Sequence, residues 1–171
     1  MKIKSKPLCW MAALAVFFIL STVASAATVQ LPKGTELKVN FAPGIKLSSG
    51  SLEKGATLLI TLVDPLEMGG KTIVEAGARG TAIVAEVKKA GGMGKAGQIK
   101  IEFQDMETKG AYQSPEGKKI TLTGFVENEG KGKGFFPYLI FVLFLKGGQG
   151  EVAADHTYTA TVGETIILES K

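Results

Sequence analysis

The chain has 171 residues, among them 22 glycines, one cysteine and one histidine, and its 20 Lys and Arg against 16 Asp and Glu give a formal charge of +4. Lys2, Lys4 and Lys6 bring three of those charges within the first 26 residues, where no acid offsets them, so residues 27–171 carry only +1. A nearly neutral body with interspersed signs gives no electrostatic reason to expect nucleic acid or anionic lipid as a partner, and because Cys9 also precedes residue 27, disulfides and thiolate metal sites are excluded from that body.

Residues 2–26 have the layout of a secretory signal: three lysines, thirteen apolar residues from Leu8 to Leu20, and the small-residue cleavage site Ala24-Ser25-Ala26. Cleavage is expected after Ala26. The alternative, an uncleaved anchor, is disfavoured because the apolar run falls short of the roughly 20 residues a spanning helix needs. A lipoprotein is disfavoured because Cys9 heads the run instead of following it. The expected location is the periplasm or the outer membrane. Removing the segment leaves 145 residues, 27–171, a length that suits one domain able to hold a hydrophobic core without staples.

Beyond residue 26 helical periodicity is scarce and alternation recurs. Leu37, Val39 and Phe41 in "TELKVNF", Ile99, Ile101 and Phe103 in "QIKIEF", and Ile120 and Leu122 in "KKITLTG" each put apolar side chains on one face of a strand. "TLLITLV" (57–63) and "TAIVAEV" (81–87) are more continuously apolar and read as strands covered on both sides, or as the tighter wall of a barrel. Gly69-Gly70 between "VDPLEM" and "KTIVEA" suits a two-residue hairpin that needs positive φ. "LPKGTELKV", "VEAGARGTAIVAEV" and "VAADHTYTATV" share a plan in which a turn leads into a Thr-bearing strand ending in Val, a degenerate repeat in which the chain turns a corner three times. All 22 glycines follow residue 26, about twice the usual share. These signals predict an all-β fold, a single Gly-rich β-barrel or barrel-like sandwich.

Chemistry-bearing motifs are few. "GMGKAG" (92–97) satisfies the G-x-G-x-x-G spelling of a dinucleotide loop, but that chemistry needs the glycines to open a helix, and the alternating "QIKIEF" that follows predicts a hairpin tip. Gly94-Lys95 is followed by Ala96, not by the Ser or Thr of a phosphate-binding P-loop. His156 stands beside Asp155 and Thr157, yet no nucleophile elbow occurs after residue 26, so it reads as a turn histidine, with a hydrolase built on it as a lesser alternative. Glu127 with Glu129, and Asp105 with Glu107, fall at a spacing of two that could hold calcium or flank a glycosidic bond, although solvated turn charges are commoner. No cofactor is implied and no enzyme activity is expected.

The most distinctive stretch is "GKGKGFFPYLIFVLFLKGGQG" (130–150). As a helix, eleven residues would rise only about 16 Å against a hydrocarbon core of about 30 Å; as a membrane strand it lacks the polar and apolar alternation of a porin wall. Pro137 argues against a central strand. Two readings remain: a segment buried in the domain core, or an apolar projection on glycine hinges that docks on a membrane or a partner chain. In the second, Phe135, Phe136, Tyr138, Leu139, Ile140, Phe141, Val142, Leu143, Phe144 and Leu145 form the contact and Lys131, Lys133 and Lys146 its polar boundary.

The order of these features resembles the periplasmic β-barrel domain of the outer-membrane pore component of type IV secretion and conjugation systems. "LPKGTELKV" resembles that family's opening strand, "SSG" (48–50) its serine-glycine turn, "LVDPLEMGGKTIVEAGARGTAIV" its strand, glycine turn and corner, and "GKAGQIKIEF" and "PEGKKITL" its later strands, so the resemblance covers residues 31–126, with "TYTATV" like the closing strand. It implies a barrel with no catalytic residue and an insertion before the closing strand that projects toward the outer membrane, where "GFFPYLIFVLFLKGG" stands here. The family's proline-rich stalk and anchoring helix have no counterpart, so the fold is expected without the secretion role. The resulting expectation is a non-enzymatic cell-envelope component that contacts the outer membrane or another envelope protein through residues 135–145. The alternative is a soluble periplasmic module whose barrel mouth holds a small ligand or glycan.

Overall fold

The structure is a computed structural model that describes residues 27–92, 94–131 and 147–171; the expected signal segment 1–26 and the run 135–145 lie outside the described residues. Within them the regular elements are strands, apart from one 3-10 turn at Pro115–Gly117. In chain order these are β1 (Thr28–Leu31), β2 (Glu36–Phe41), β3 (Leu47–Ser48), β4 (Thr57–Leu62), β5 (Leu66–Met68), β6 (Lys71–Val74) and β7 (Arg79–Lys88). Then follow β8 (Gln98–Met106), β9 (Tyr112–Gln113), β10 (Ile120–Thr123), β11 (Phe125–Glu129), β12 (Glu151–Val152), β13 (Tyr158–Val162) and β14 (Ile166–Ser170).

Six of them close into an antiparallel barrel. The order runs β10-β13-β2-β4-β7-β8, and β8 returns to β10 through Ile120↔Met106 and Thr121↔Asp105. Closure leaves no free edge in the ring, which removes the template that an open sheet offers for aggregation. β11 prolongs β10 beyond Gly124 and pairs with the first half of β8, Val126 opposite Ile101. At Gly124 φ is +119°, a value side-chain-bearing residues rarely adopt, and its carbonyl accepts from Phe103 N at 3.1 Å, so the wall bends there without losing its ladder.

Period-two alternation decides which side chains fill the barrel. Leu37, Val39 and Phe41 of β2, Leu58, Ile60 and Leu62 of β4, and Ile99, Ile101 and Phe103 of β8 point inward and are buried. The facing positions on β7 and β13 are small, Ala82 and Ala160, both with no exposed surface. Gly80 is needed for a different reason: a Cβ there would stand 2.5 Å from Asp105 O and 3.0 Å from Ile60 Cγ1. A six-stranded ring has little internal volume, and this mix of large and small residues fills it.

The expectation of two-sided cover for 57–63 and 81–87 is corrected. β4 and β7 alternate like their neighbours, with Leu59 56% exposed and Ile83 only partly covered, because the outer face of this wall meets solvent. The alternative reading, a barrel wall, is the one observed. Gly69 and Gly70 do form the β5–β6 turn, with φ of +59° and +74°.

The antiparallel order sorts the connections between two ends. One end receives the β4–β7 connection with its β5–β6 hairpin, the β8–β10 connection, and the separate sheet β1-β14-β9. Leu31, Tyr112, Ile166 and Leu168 of that sheet join the barrel's own apolar cluster, covering this end. The other end receives three long connections: 42–56 with β3, 89–97, and 130–157 with β12.

Candidate functional site

At the second end the three connections are knit together by backbone. Ser49 Oγ donates to Gln149 Oε1 at 2.7 Å and accepts from Gly150 N at 3.0 Å; Ala90 N donates to the same Gln149 oxygen at 3.1 Å. Gly97 N donates to Gly148 O (2.9 Å), Gly130 N to Gly97 O (2.8 Å), Gly147 N to Gly91 O (3.2 Å), and Gly148 N to Lys131 O (3.0 Å). Such a close approach needs a glycine at the contact. A Cβ on Gly130 would collide with Gly148 O, one on Gly147 with Lys95 O, and one on Gly97 with Ser49 Oγ.

This arrangement explains the "GMGKAG" stretch. Its Gly92, Gly94 and Gly97 lie in the β7–β8 connection and lead into a strand, as the alternation predicted, and its backbone is the seat on which the roots of the 132–146 segment rest. The ten apolar and aromatic residues expected to make contact, 135–145 apart from Pro137, lie outside the described residues. The residues that flank them are described: the hydrogen bond from Gly148 N to Lys131 O brings the two flanks of 132–146 together.

On the outside of the barrel wall, Asn40, Phe41, Pro43, Gly44, Thr61, Leu62, Val63, Ala154 and Asp155 line an open cleft of about 580 Å³. Asn40 and Thr61 lie opposite each other in register on β2 and β4, between the inward-facing residues of those strands. With its amide oriented to satisfy its surroundings, Asn40 donates to His156 O at 3.2 Å, to Thr157 Oγ1 at 3.0 Å and to Val39 O at 3.0 Å. The Tyr158 ring packs edge-on against Phe41 and His156, with centroids 5.5 and 5.3 Å away, and its hydroxyl donates to Ala153 O at 2.8 Å. Burial holds the Tyr158 phenol above its ordinary pKa; the Ala153 hydrogen bond works against that shift and the Asp155 charge adds to it.

His156 lies in the exposed turn before β13, as expected, and its recorded contacts are its carbonyl on Asn40 and its ring on Tyr158. No hydroxyl approaches its ring within hydrogen-bond distance among the described residues, so the structure assembles no nucleophile with it. Asp105 and Glu107 do face one cation, but it is Lys119, 3.4 Å from each. That pairing, with the Asp105 charge foremost, raises the Lys119 pKa. Glu127 and Glu129 share the exposed outer side of β11, and among the described residues no group of three or more His, Cys, Asp or Glu could hold a metal. Glu164 is held below its usual range by its hydrogen bonds from Lys118 and Thr121, and Glu86 by its pairing with Lys88.

Sequence reasoning missed Ser49 and Gln149 as a joint, and Asn40, Pro43 and Val63 as cleft residues. The only cue to the first was the paired "SSG" and "GGQG"; the second is assembled from positions more than 100 apart in the chain, for which there is no local signal. No protein-family model matches this chain, and no curated protein is significantly similar to it in sequence.

Proposed function

We propose that this protein is a non-enzymatic, exported component of the bacterial cell envelope. In this reading a closed barrel acts as a rigid base for an apolar contact segment at residues 135–145, which meets the outer membrane or another envelope protein. The observation that carries the reading is the closed base of that segment: Lys131 and Gly148 are hydrogen-bonded to each other, and Gly130 and Gly148 are each bonded to Gly97 at one end of the barrel. Eleven consecutive residues rich in Phe, Leu and Ile are more apolar surface than a soluble monomer ordinarily leaves uncovered. The resemblance of residues 31–126 to secretion-pore barrel domains supports the same role, with export following from the signal layout of residues 1–26.

Fractionation of cells expressing the wild type and Phe141→Asp tests this. The wild type is expected with the membrane or in a heterologous complex. Phe141→Asp is expected in the soluble fraction with its melting temperature within about 2 °C of wild type, as for a substitution outside the core. A wild type that is wholly soluble and monomeric, together with a Phe141→Asp variant that unfolds, would overturn the reading.

A further inference from the structure

We infer that the cleft bordered by Asn40, Phe41, Pro43, Val63, Ala154 and Asp155 is a binding site for a small organic cation, an ammonium group carried on an apolar body. Its volume of about 580 Å³ lies within the range of small-molecule sites. Pro43, Val63 and Ala154 give it apolar walls, and Val63, 36% exposed, is one of the large hydrophobic residues left in solvent among the described residues.

Charge selects the ligand class. Among the described residues Asp155 is the only ionisable one in the lining, and it makes no ion pair with any of them. Lys38, two residues before Asn40 on β2, is already held by Asp64 at 3.0 Å. Asn40 spends its amide N–H groups on the 156–157 backbone and hydroxyl, so it has no donor left to offer an anion. A carboxylate beside an apolar wall matches an ammonium on a hydrocarbon body. An anion would meet Asp155 as a like charge. The described lining contains none of residues 135–145, and the test does not depend on their role.

Calorimetric titration of the purified protein with 2-phenylethylammonium, and with 2-phenylethanol as its neutral counterpart, tests the proposal. The ammonium is expected to saturate with a Kd of about 0.1–1 mM, in keeping with the affinity available to a ligand of this size. The alcohol is expected to bind at least about fivefold more weakly, the difference a partly exposed charge contact supplies. Asp155→Asn should weaken the ammonium by a similar factor and leave the alcohol unchanged, and Val63→Trp, at an exposed position that tolerates bulk, should block both. The proposal is overturned by no saturable binding in the millimolar range, by equal affinity for ammonium and alcohol, by an Asp155→Asn variant that binds the ammonium as wild type does, or by a folded Val63→Trp variant that still binds it.

Discussion

Ser49 has no exposed surface, and its hydroxyl is both donor to Gln149 and acceptor for Gly150 N. Replacing it with alanine leaves that buried backbone donor without its acceptor and the part-buried Gln149 oxygen one partner short. Ser49→Ala is therefore expected to cost about 1–3 kcal/mol, read as a lower urea midpoint at unchanged slope. Tyr158 sets a different test. Because its folded pKa is raised, the phenol's contribution to stability is whole below about pH 10 and is lost as pH rises from there through the raised folded value. Tyr158→Phe also forfeits the 2.8 Å hydrogen bond to Ala153 O, so the variant should be less stable than wild type at pH 8. The gap between the two proteins should narrow above pH 10, and urea midpoints at pH 8 and 10.5 would show it. A gap that stays constant would mean that the phenol titrates alike folded and unfolded.

At the scale of elements, the connections differ more than the strands do. The β5–β6 hairpin turns in two residues because two glycines at positive φ match the twist of the flanking strands. The 130–157 connection instead returns on itself at Lys131 and Gly148 before β12 joins β3. A chain whose ends already meet can be shortened at little cost, since loop-closure entropy varies only slowly with length. Replacing residues 132–146 with a short Gly-Asn-Gly link is therefore expected to leave the melting temperature within about 3 °C and to abolish the association with membrane or partner. Loss of cooperative unfolding in that variant would show that the segment belongs to the core.

The whole molecule is held by ring closure around a filled interior. Ile101 lies inside on β8 with no exposed surface, and truncation to alanine should cost about 2–5 kcal/mol, measured by equilibrium denaturation. Phe125 is on the outside of the prolonged wall, 58% exposed with Lys100 Nζ 4.6 Å from its ring centroid. Phe125→Ser should stay within about 0.5 kcal/mol of wild type, because the ring gives up little buried area and one exposed cation contact. Comparable losses at the two positions would contradict the assignment of inside and outside.

Much of this was legible in the chain. Alternation at 36–41, 98–103 and 120–123 named the inward residues, because a strand's side chains change sides at every step whatever the strand pairs with. The glycine pair at 69–70 named its hairpin, since positive φ is a local requirement. Apolar density at 57–63 left two-sided cover and a barrel wall both open: composition reports how greasy a strand is, whereas exposure of Leu59 depends on whether a second layer covers that wall, and none of the described residues does so. Ring closure through Ile120 and Met106, the joint of Ser49 with Gln149, and the cleft of Asn40 with Asp155 each bring together residues separated by 14 to more than 100 positions. Local chemistry therefore determined the strands, their faces and their turns. Which strands meet, and what their meeting encloses, was decided only when the chain spent its conformational freedom on long-range contacts that no short stretch encodes.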